Sequence, residues 1–274
     1  MTFMDLENPD YAYMFGFLQM DGHLAAGTGK RGRLMVEIAH RDVAVLQRFR
    51  ELSPYPSSIR ERTRATNFAE SYRSATWTLC ALEARERLVE LGLPYGKKSQ
   101  KVKPPRVPFS RRDYVRGVID ADGSVGTTGQ GLPFVALTTA STAIATYLCF
   151  YVRQTIGAER RAGRNARDGV YNVLYTKEAA VDLARHLYYP GALALQRKQE
   201  AARVAMQWTR PADMARRPSR KRWQPHEDRI LLEIGDAAAA APVLDRTPAS
   251  CGMRLWRLRA GRTASPPPGI SLSP

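Results

Sequence analysis

Two acids stand out by what precedes and follows them. Asp21 closes the stretch Tyr13-Met-Phe-Gly-Phe-Leu-Gln-Met-Asp-Gly22, and Asp122 closes Tyr114-Val-Arg-Gly-Val-Ile-Asp-Ala-Asp-Gly123. Tyr13 and Tyr114, Gly16 and Gly117, and Asp21 and Asp122 keep one constant separation, so the second stretch repeats the first. In each, apolar residues recur at helical spacing and stop at the acid. A carboxylate in the last turn of a helix sits at the negative end of the macrodipole. Two such ends brought together would also repel each other. A hard divalent cation with oxygen ligands, Mg²⁺ first among them, removes both penalties. A lone Asp-Gly is an ordinary turn signal; two copies in matched context call for a shared purpose.

The elements that must position these acids can be read on either side. Tyr13, Gly16, Phe17 and Met20 share one helical face, and Tyr114, Gly117, Val118 and Ala121 the matching one. A mid-helix glycine costs about 1 kcal/mol relative to alanine, so paired glycines point to close helix–helix approach. Gly22 and Gly123 are expected to end their helices in the left-handed conformation. Leu34, Val36 and Ile38 alternate with Arg33, Met35 and Glu37 as in a half-buried strand, Asp42 to Leu52 has helical spacing, Ile59 to Arg64 and Tyr72 to Leu79 read as strands, and Glu83 to Leu91 as a helix. The second half follows the same order: a helix over 111–122, strands over 124–127 and 134–138, a helix over 141–156 capped by Ser141, strands over 159–164 and 170–176, and a closing helix over 177–188.

The segment 94–110, with four prolines and five basic residues, separates a first half (1–93) from a second (111–208). A basic linker over 209–222 leads to a helical segment over 223–262, and the proline-rich 263–274 reads as a disordered tail. The chain carries 42 Lys and Arg against 26 Asp and Glu, a net charge of +16, which favours a polyanionic partner. No run is apolar enough to span a bilayer and no signal peptide is evident, so a cytoplasmic protein is expected. Cys80, Cys149 and Cys251 are too scattered for a disulfide framework or zinc site. The four histidines form no metal cluster, and Gly27-Thr-Gly-Lys30 lacks the frame of a phosphate loop.

Val115-Arg-Gly-Val-Ile-Asp-Ala-Asp-Gly123 resembles the signature of the LAGLIDADG homing endonucleases, and Met14 to Gly22 resembles a looser first copy. The resemblance covers roughly residues 10 to 205. It implies an α+β fold in a monomer: two pseudo-symmetric αββαββα halves, motif helices packed along the pseudo-twofold, and two four-stranded sheets forming a saddle over double-stranded DNA. It implies that Asp21 and Asp122 bind Mg²⁺, with the carbonyls of Met20 and Ala121 as further ligands, and help hydrolyse one strand each. The expected product is a staggered double-strand break. The family's usual home is selfish mobile DNA, introns and phage genomes included. Gln19 departs from the signature, which usually has an acid there. A non-catalytic binder on the same scaffold, a maturase or a regulator, is the alternative.

Lys98 and Lys198 follow the closing helices of the two halves at nearly equal distances from Asp21 and Asp122, and the resemblance places a lysine near the active site. Such cations suit the charge that builds on a phosphoryl group under attack. Candidate DNA contacts are Arg31 and Arg33 on one strand, Arg60, Arg62 and Arg64 alternating on another, Tyr72, Ser74 and Thr76 on a third, and Arg160, Arg161, Arg164 and Asn172 in the second half. The C-terminal segment resembles Myb/SANT-like helix-turn-helix domains through Trp223, the acidic first helix and the Arg246-Thr-Pro248 start. There Thr247 caps a helix with Pro248 at its first position, Ala249, Met253, Trp256 and Leu255 are expected inside, and Ser250, Arg254 and Arg257 are expected at a groove or phosphates.

Overall fold

In the computed structural model, which describes residues 2–28, 31–66, 69–214 and 223–264, the first motif helix is started by Asn8. The Asn8 side chain accepts from the backbone N–H groups of Asp10 and Tyr11, and Pro9 occupies the first turn of α1 (Pro9–Asp21). Its counterpart is α4 (Arg111–Asp122). Residues 11–19 of α1 and 113–120 of α4 are all buried, so neither helix has a solvent face. This is more than the one-sided pattern of the sequence suggests: a helix buried all round has core on every side.

Each motif helix runs straight into its own sheet. In the first half, β1 (His23–Ala25), β2 (Arg33–Ala39), β3 (Ser57–Thr66) and β4 (Ala69–Leu79) form an antiparallel sheet of order β1-β2-β4-β3. Two helices, α2 (Val43–Leu52) and α3 (Leu82–Glu90), complete that half. In the second half, β5 (Gly123–Thr127), β6 (Pro133–Thr139) and β7 (Tyr171–Thr176) pair antiparallel in that order. Here α5 (Thr142–Ile156) and α6 (Glu178–Leu187) match α2 and α3. Leu34, Val36, Ala75, Trp77 and Leu79 line the inner face of the first sheet, and Val125, Val135, Leu137, Val173 and Tyr175 that of the second. One buried cluster contains both sets together with α1 and α4, so the halves share a core.

Two expectations fail in the second half. The fourth strand over 159–164 does not form; only an isolated bridge between Arg164 and Tyr171 remains. The segment Glu159-Arg-Arg-Ala-Gly-Arg164 has no β-branched residue, and Arg160 bonds the Leu174 carbonyl through its side chain instead of its backbone. Beyond the closing helix, a further helix, α7 (Gln196–Met206), occupies what the sequence reading treats as a connection. Gln-Arg-Lys-Gln-Glu-Ala-Ala is a run of good helix formers, so the signal was present.

The glycines of the motif act through space rather than through backbone freedom. Gly22 and Gly123 end their helices in extended conformations, not left-handed ones. A Cβ on Gly22 would meet the Leu18 carbonyl oxygen at 2.6 Å, and one on Gly123 the Ala136 oxygen at 2.6 Å. At the helix crossing the relation is reciprocal: a Cβ on Gly16 would stand 2.4 Å from the Tyr114 carbonyl oxygen, and one on Gly117 2.2 Å from that of Tyr13.

Residues 223–264 form a separate three-helix unit of α8 (Pro225–Ile234), α9 (Ala237–Val243) and α10 (Pro248–Arg259). A capping box joins Gln224 and Glu227 at the start of α8, and Thr247 accepts from the Ser250 N–H at the start of α10. The inward face of α10 is Cys251, Leu255 and Leu258; Met253 and Trp256 are exposed, contrary to the sequence expectation. The shift arises because Leu255 and Leu258 set the helical stripe, two positions on from the Met253–Trp256 pair. The proposed linker over 209–222 and tail over 263–274 lie largely outside the described residues.

Because the obstructing atoms at the crossing are backbone, neither helix can yield cheaply. Gly117→Ala and Gly16→Ala are each expected to lower unfolding stability by about 1–3 kcal/mol or more, as overpacking does, measured by urea denaturation.

Candidate active site

The two helix ends meet. Asp21 and Asp122 are both solvent-exposed, and their carboxyl groups are hydrogen-bonded to each other. Incomplete solvation by the packed surroundings, then the Asp122 charge, push the Asp21 carboxyl from 3.8 up to about 6. Asp122 is raised as well, chiefly by the same loss of solvation. The hydrogen bond between them favours the proton on Asp21, which is the protonated member of the pair below about pH 6.

Behind the acids lie Lys98 and Lys198, both buried. Lys98 Nζ donates to the carbonyls of Gln19 and Met20, the last carbonyls of α1. Lys198 Nζ donates to those of Ile119 at 2.8 Å, Asp120 at 2.6 Å and Gly123 at 2.7 Å. One ammonium group per half thus bonds carbonyls clustered at the helix end, the Gln19 and Met20 oxygens in the first half and that of Asp120, with its Ile119 and Gly123 neighbours, in the second. Burial lowers both ammonium groups to about 8, while neighbouring carboxylates, Asp21 among them, pull in the opposite direction. The lysines therefore place positive charge where the helix ends and the acids place negative charge. Of the two backbone oxygens expected near a metal, that of Met20 accepts from Lys98, whereas Lys198 bonds the carbonyls on both sides of Ala121.

A second polar layer ties the helices together one turn deeper. The Tyr13 hydroxyl donates to Asp120 at 2.7 Å, and the Tyr114 hydroxyl donates to Gln19 Oε1 at 2.7 Å. The exchange is reciprocal across the crossing, as a local twofold requires. It also explains the departure at Gln19. Around Asp120 the remaining neighbours are donors, the Tyr188 hydroxyl and the Leu195 N–H, each at 2.7 Å. Around Gln19 they are acceptors, the carbonyls of Gly92 and Lys103, at 3.3 and 3.0 Å. A carboxylate there would face two carbonyl oxygens, whereas an amide supplies the donor they need. Asp120, missed as a site residue in the sequence, is a buried anchor whose pairing needs distant partners.

The donor set around the acids suits a hard cation. The two carboxylates are exposed, and a cavity of about 30 Å³ beside Asp122, lined by Met20, Ser99 and Thr139 among others, offers room for one small oxygen-ligated species. The described residues hold no group of three or more His, Cys, Asp or Glu suited to a metal. Two carboxylates alone match the sparse protein ligation of Mg²⁺, which keeps waters and takes phosphate oxygens.

The open face of the first sheet carries four of the five basic residues predicted for that half, Arg33, Arg60, Arg62 and Arg64. Cross-strand register places Arg60 beside Thr76, Arg62 beside Ser74 and Arg64 beside Tyr72, with Glu37 next to Thr76 on β2. Arg33, Arg60 and Arg62 are exposed and have no hydrogen-bond or ion-pair partner among the described residues. Arg64 pairs with Glu37 at 3.3 Å and lies over the Tyr72 ring. Ser74 is fully buried between its neighbours, so it is not presented on the face, and Arg31 lies in a turn before β2 instead of on it. In the second half, Asn172 pairs with Thr138 on the open face, while Arg160, Arg161 and Arg164 are exposed along the β7 edge in the irregular segment. In the C-terminal unit Arg254 makes two bonds to Asp228 and Arg246 two to Glu227, which withdraws both cations into the fold. Ser250 is half-buried and Arg257 exposed.

No protein-family model and no curated protein matches this chain. Solved structures of similar chain path are the meganuclease I-SmaMI bound to uncleavable DNA (10% identity, TM-score 0.49, covering 73% of this chain and 89% of that one), the homing endonuclease I-WcaI bound to its DNA recognition sequence (10%, 0.48, 72% and 87%), and the I-LtrWI LAGLIDADG homing endonuclease bound to target DNA (11%, 0.44, 73% and 90%). The α+β fold stands on this chain's own element order, register and reciprocal helix contacts.

The raised Asp21 carboxyl makes stability depend on pH with a definite sign. Folding raises the Asp21 carboxyl from 3.8 to about 6, so between these values the folded state holds more protons. That contribution is present below the lower value and is lost as pH rises through the upper one. In metal-free protein, Asp21→Asn is expected to melt above the parent at pH 7.5 and to lose most of that advantage at pH 4, read by thermal denaturation at the two pH values.

Proposed function

We propose that this chain is a site-specific, Mg²⁺-dependent endonuclease acting on double-stranded DNA, which it cuts to leave a staggered break. The observation that carries the reading is the exposed, hydrogen-bonded carboxylate pair at the ends of two reciprocal helices, each helix leading directly into a sheet with an open outer face. A duplex laid across the two open faces passes over that pair.

Asp21 and Asp122 would hold the metal, aided by backbone oxygen from the Met20 and Ala121 positions. Bound there, Mg²⁺ supplies charge neutralisation at a scissile phosphate and lowers the pKa of an attacking water. Lys98 and Lys198 act as positioning residues. They fix the helix-end carbonyls and hold positive charge close to the acids, which favours ionisation of the pair once its proton leaves. Their burial keeps them from travelling to a phosphate. Arg33, Arg60, Arg62 and Arg64, with Tyr72 and Thr76, would contact the major groove from the first half; from the second, Asn172 would face the groove and Arg160, Arg161 and Arg164 the phosphates beside it. Ser74 would serve packing beneath Arg62. The fold needs only one copy of the chain, because both carboxylates come from it. The C-terminal unit would add contacts by effective concentration, with Ser250 and Arg257 as its candidates. Its described part balances six arginines against five acids, so the dense positive charge belongs to the preceding segment, Arg216 to Arg222.

Incubation with a duplex library and Mg²⁺ is expected to yield specific cleavage. Asp21→Asn and Asp122→Asn should each abolish cutting of one strand, and the double variant should abolish both while binding persists. Tight, specific binding without any cleavage by the parent would sink the enzyme reading and leave a regulator or maturase. Affinity is expected to fall by about 10³-fold or more between 50 and 200 mM salt if six or more phosphates are neutralised, measured by fluorescence anisotropy.

A further inference from the structure

The two open sheet faces differ in chemistry far more than a repeat would suggest. On the first, Arg33, Arg60, Arg62 and Arg64 project around hydroxyls. On the second, no strand residue of the open face carries a charge: cross-strand rows read Ser124–Ala136–Leu174, Gly126–Phe134–Thr176 and Thr138–Asn172. Leu174 is 48% exposed although it sits in a sheet whose other face is fully packed. Ala136 is its direct neighbour on β6, and the Phe134 ring lies over Gly126, where a Cβ would touch it at 3.5 Å. Thr138 and Asn172 satisfy each other at 2.8 Å. The result is a short apolar row, Phe134, Ala136 and Leu174, bounded by hydroxyls. Cations return only at the margin, where Arg160 is pinned to the Leu174 carbonyl and Arg164 to that of Gly169.

We infer that the second sheet reads thymine methyl groups and the first sheet reads guanine, so that the target is chemically polar: one half-site is T·A-rich and the other carries guanines. This rests on the proposed seating of a duplex on both faces. In the major groove, guanine offers two acceptors that suit arginine, and thymine offers a C5-methyl that suits small apolar and threonine side chains. The arginines on β7's margin stand where phosphates run, which supplies affinity without base choice. A protein partner is a poorer occupant. One exposed leucine and two half-buried neighbours fall far short of the roughly 800 Å² per side that a stable protein interface needs.

The experiment is selection of bound duplexes by the full chain from a randomised pool, with Ca²⁺ replacing Mg²⁺ so that bound sites survive. The enriched site is expected to carry thymines in one half and guanines in the other. Replacing each selected thymine by deoxyuridine removes only the methyl, and should weaken binding about fourfold per contacted methyl in that half and leave the other half indifferent. Leu174→Ala should erase the thymine-over-deoxyuridine preference, whereas Arg62→Ala should relax guanine choice in the opposite half. Both residues are exposed, so folding survives either change; Ala136→Ser provides a second readout on the same row. An enriched site that tolerates deoxyuridine throughout overturns this inference and spares the endonuclease reading. So does a preference that Leu174→Ala leaves intact, or a Leu174→Ala effect confined to self-association in sedimentation. A pool that returns no enriched duplex overturns both.

Discussion

Everything else in the larger unit is arranged around the close crossing of α1 and α4. Gly16 lies on the carbonyl of Tyr114 and Gly117 on that of Tyr13, with no room for a methyl group at either point. That contact fixes the separation of the helix ends, and the ends carry the acids. Moving one helix by the width of a side chain would separate Asp21 from Asp122 and dissolve the coupling that raises their carboxyl groups. The mid-helix glycines lower intrinsic helix stability, and the shared core across both faces offsets this.

The crossing places negative charge where a helix pair least accommodates it, and the fold answers with buried cations. Lys98 and Lys198 reach the terminal carbonyls from outside their helices, one from a turn and one from α7. Each satisfies several oxygens with a single ammonium, so the carbonyls that would otherwise seek water are held in place. Solvation is left to the carboxylates alone. A site built this way is rigid beneath and open above, which suits an extended substrate better than a small one that must be enclosed.

Pseudo-symmetry governs geometry but not chemistry. Tyr13 and Tyr114 make the same reciprocal bond, yet their acceptors differ, Asp120 in one half and Gln19 in the other. The difference follows the local inventory of donors and acceptors, hydroxyl and N–H in the second half and two carbonyls in the first. The sheets diverge in the same way: the first is four-stranded with a basic open face, the second three-stranded with a short apolar row.

The sequence by itself determined the repeat, the helices that carry it, three of the four strands of the first half and the pairing of Asp21 with Asp122, because these are written in residue type and in periods of two and 3.6. Lys98 and Lys198 were legible as candidates from matched spacing together with the family resemblance. Their task was not, since reaching a carbonyl depends on where a distant turn or helix comes to rest. In the sequence Gln19 looked like a departure from the signature and Asp120 like its match; only the tertiary structure supplied the partners that make each the right residue. The missing strand over 159–164, the burial of Ser74, the extended ends at Gly22 and Gly123 and the outward turn of Met253 and Trp256 were decided in the same way. Local pattern fixes which face of an element is apolar, but what lies opposite that face is settled by packing between segments far apart in the chain.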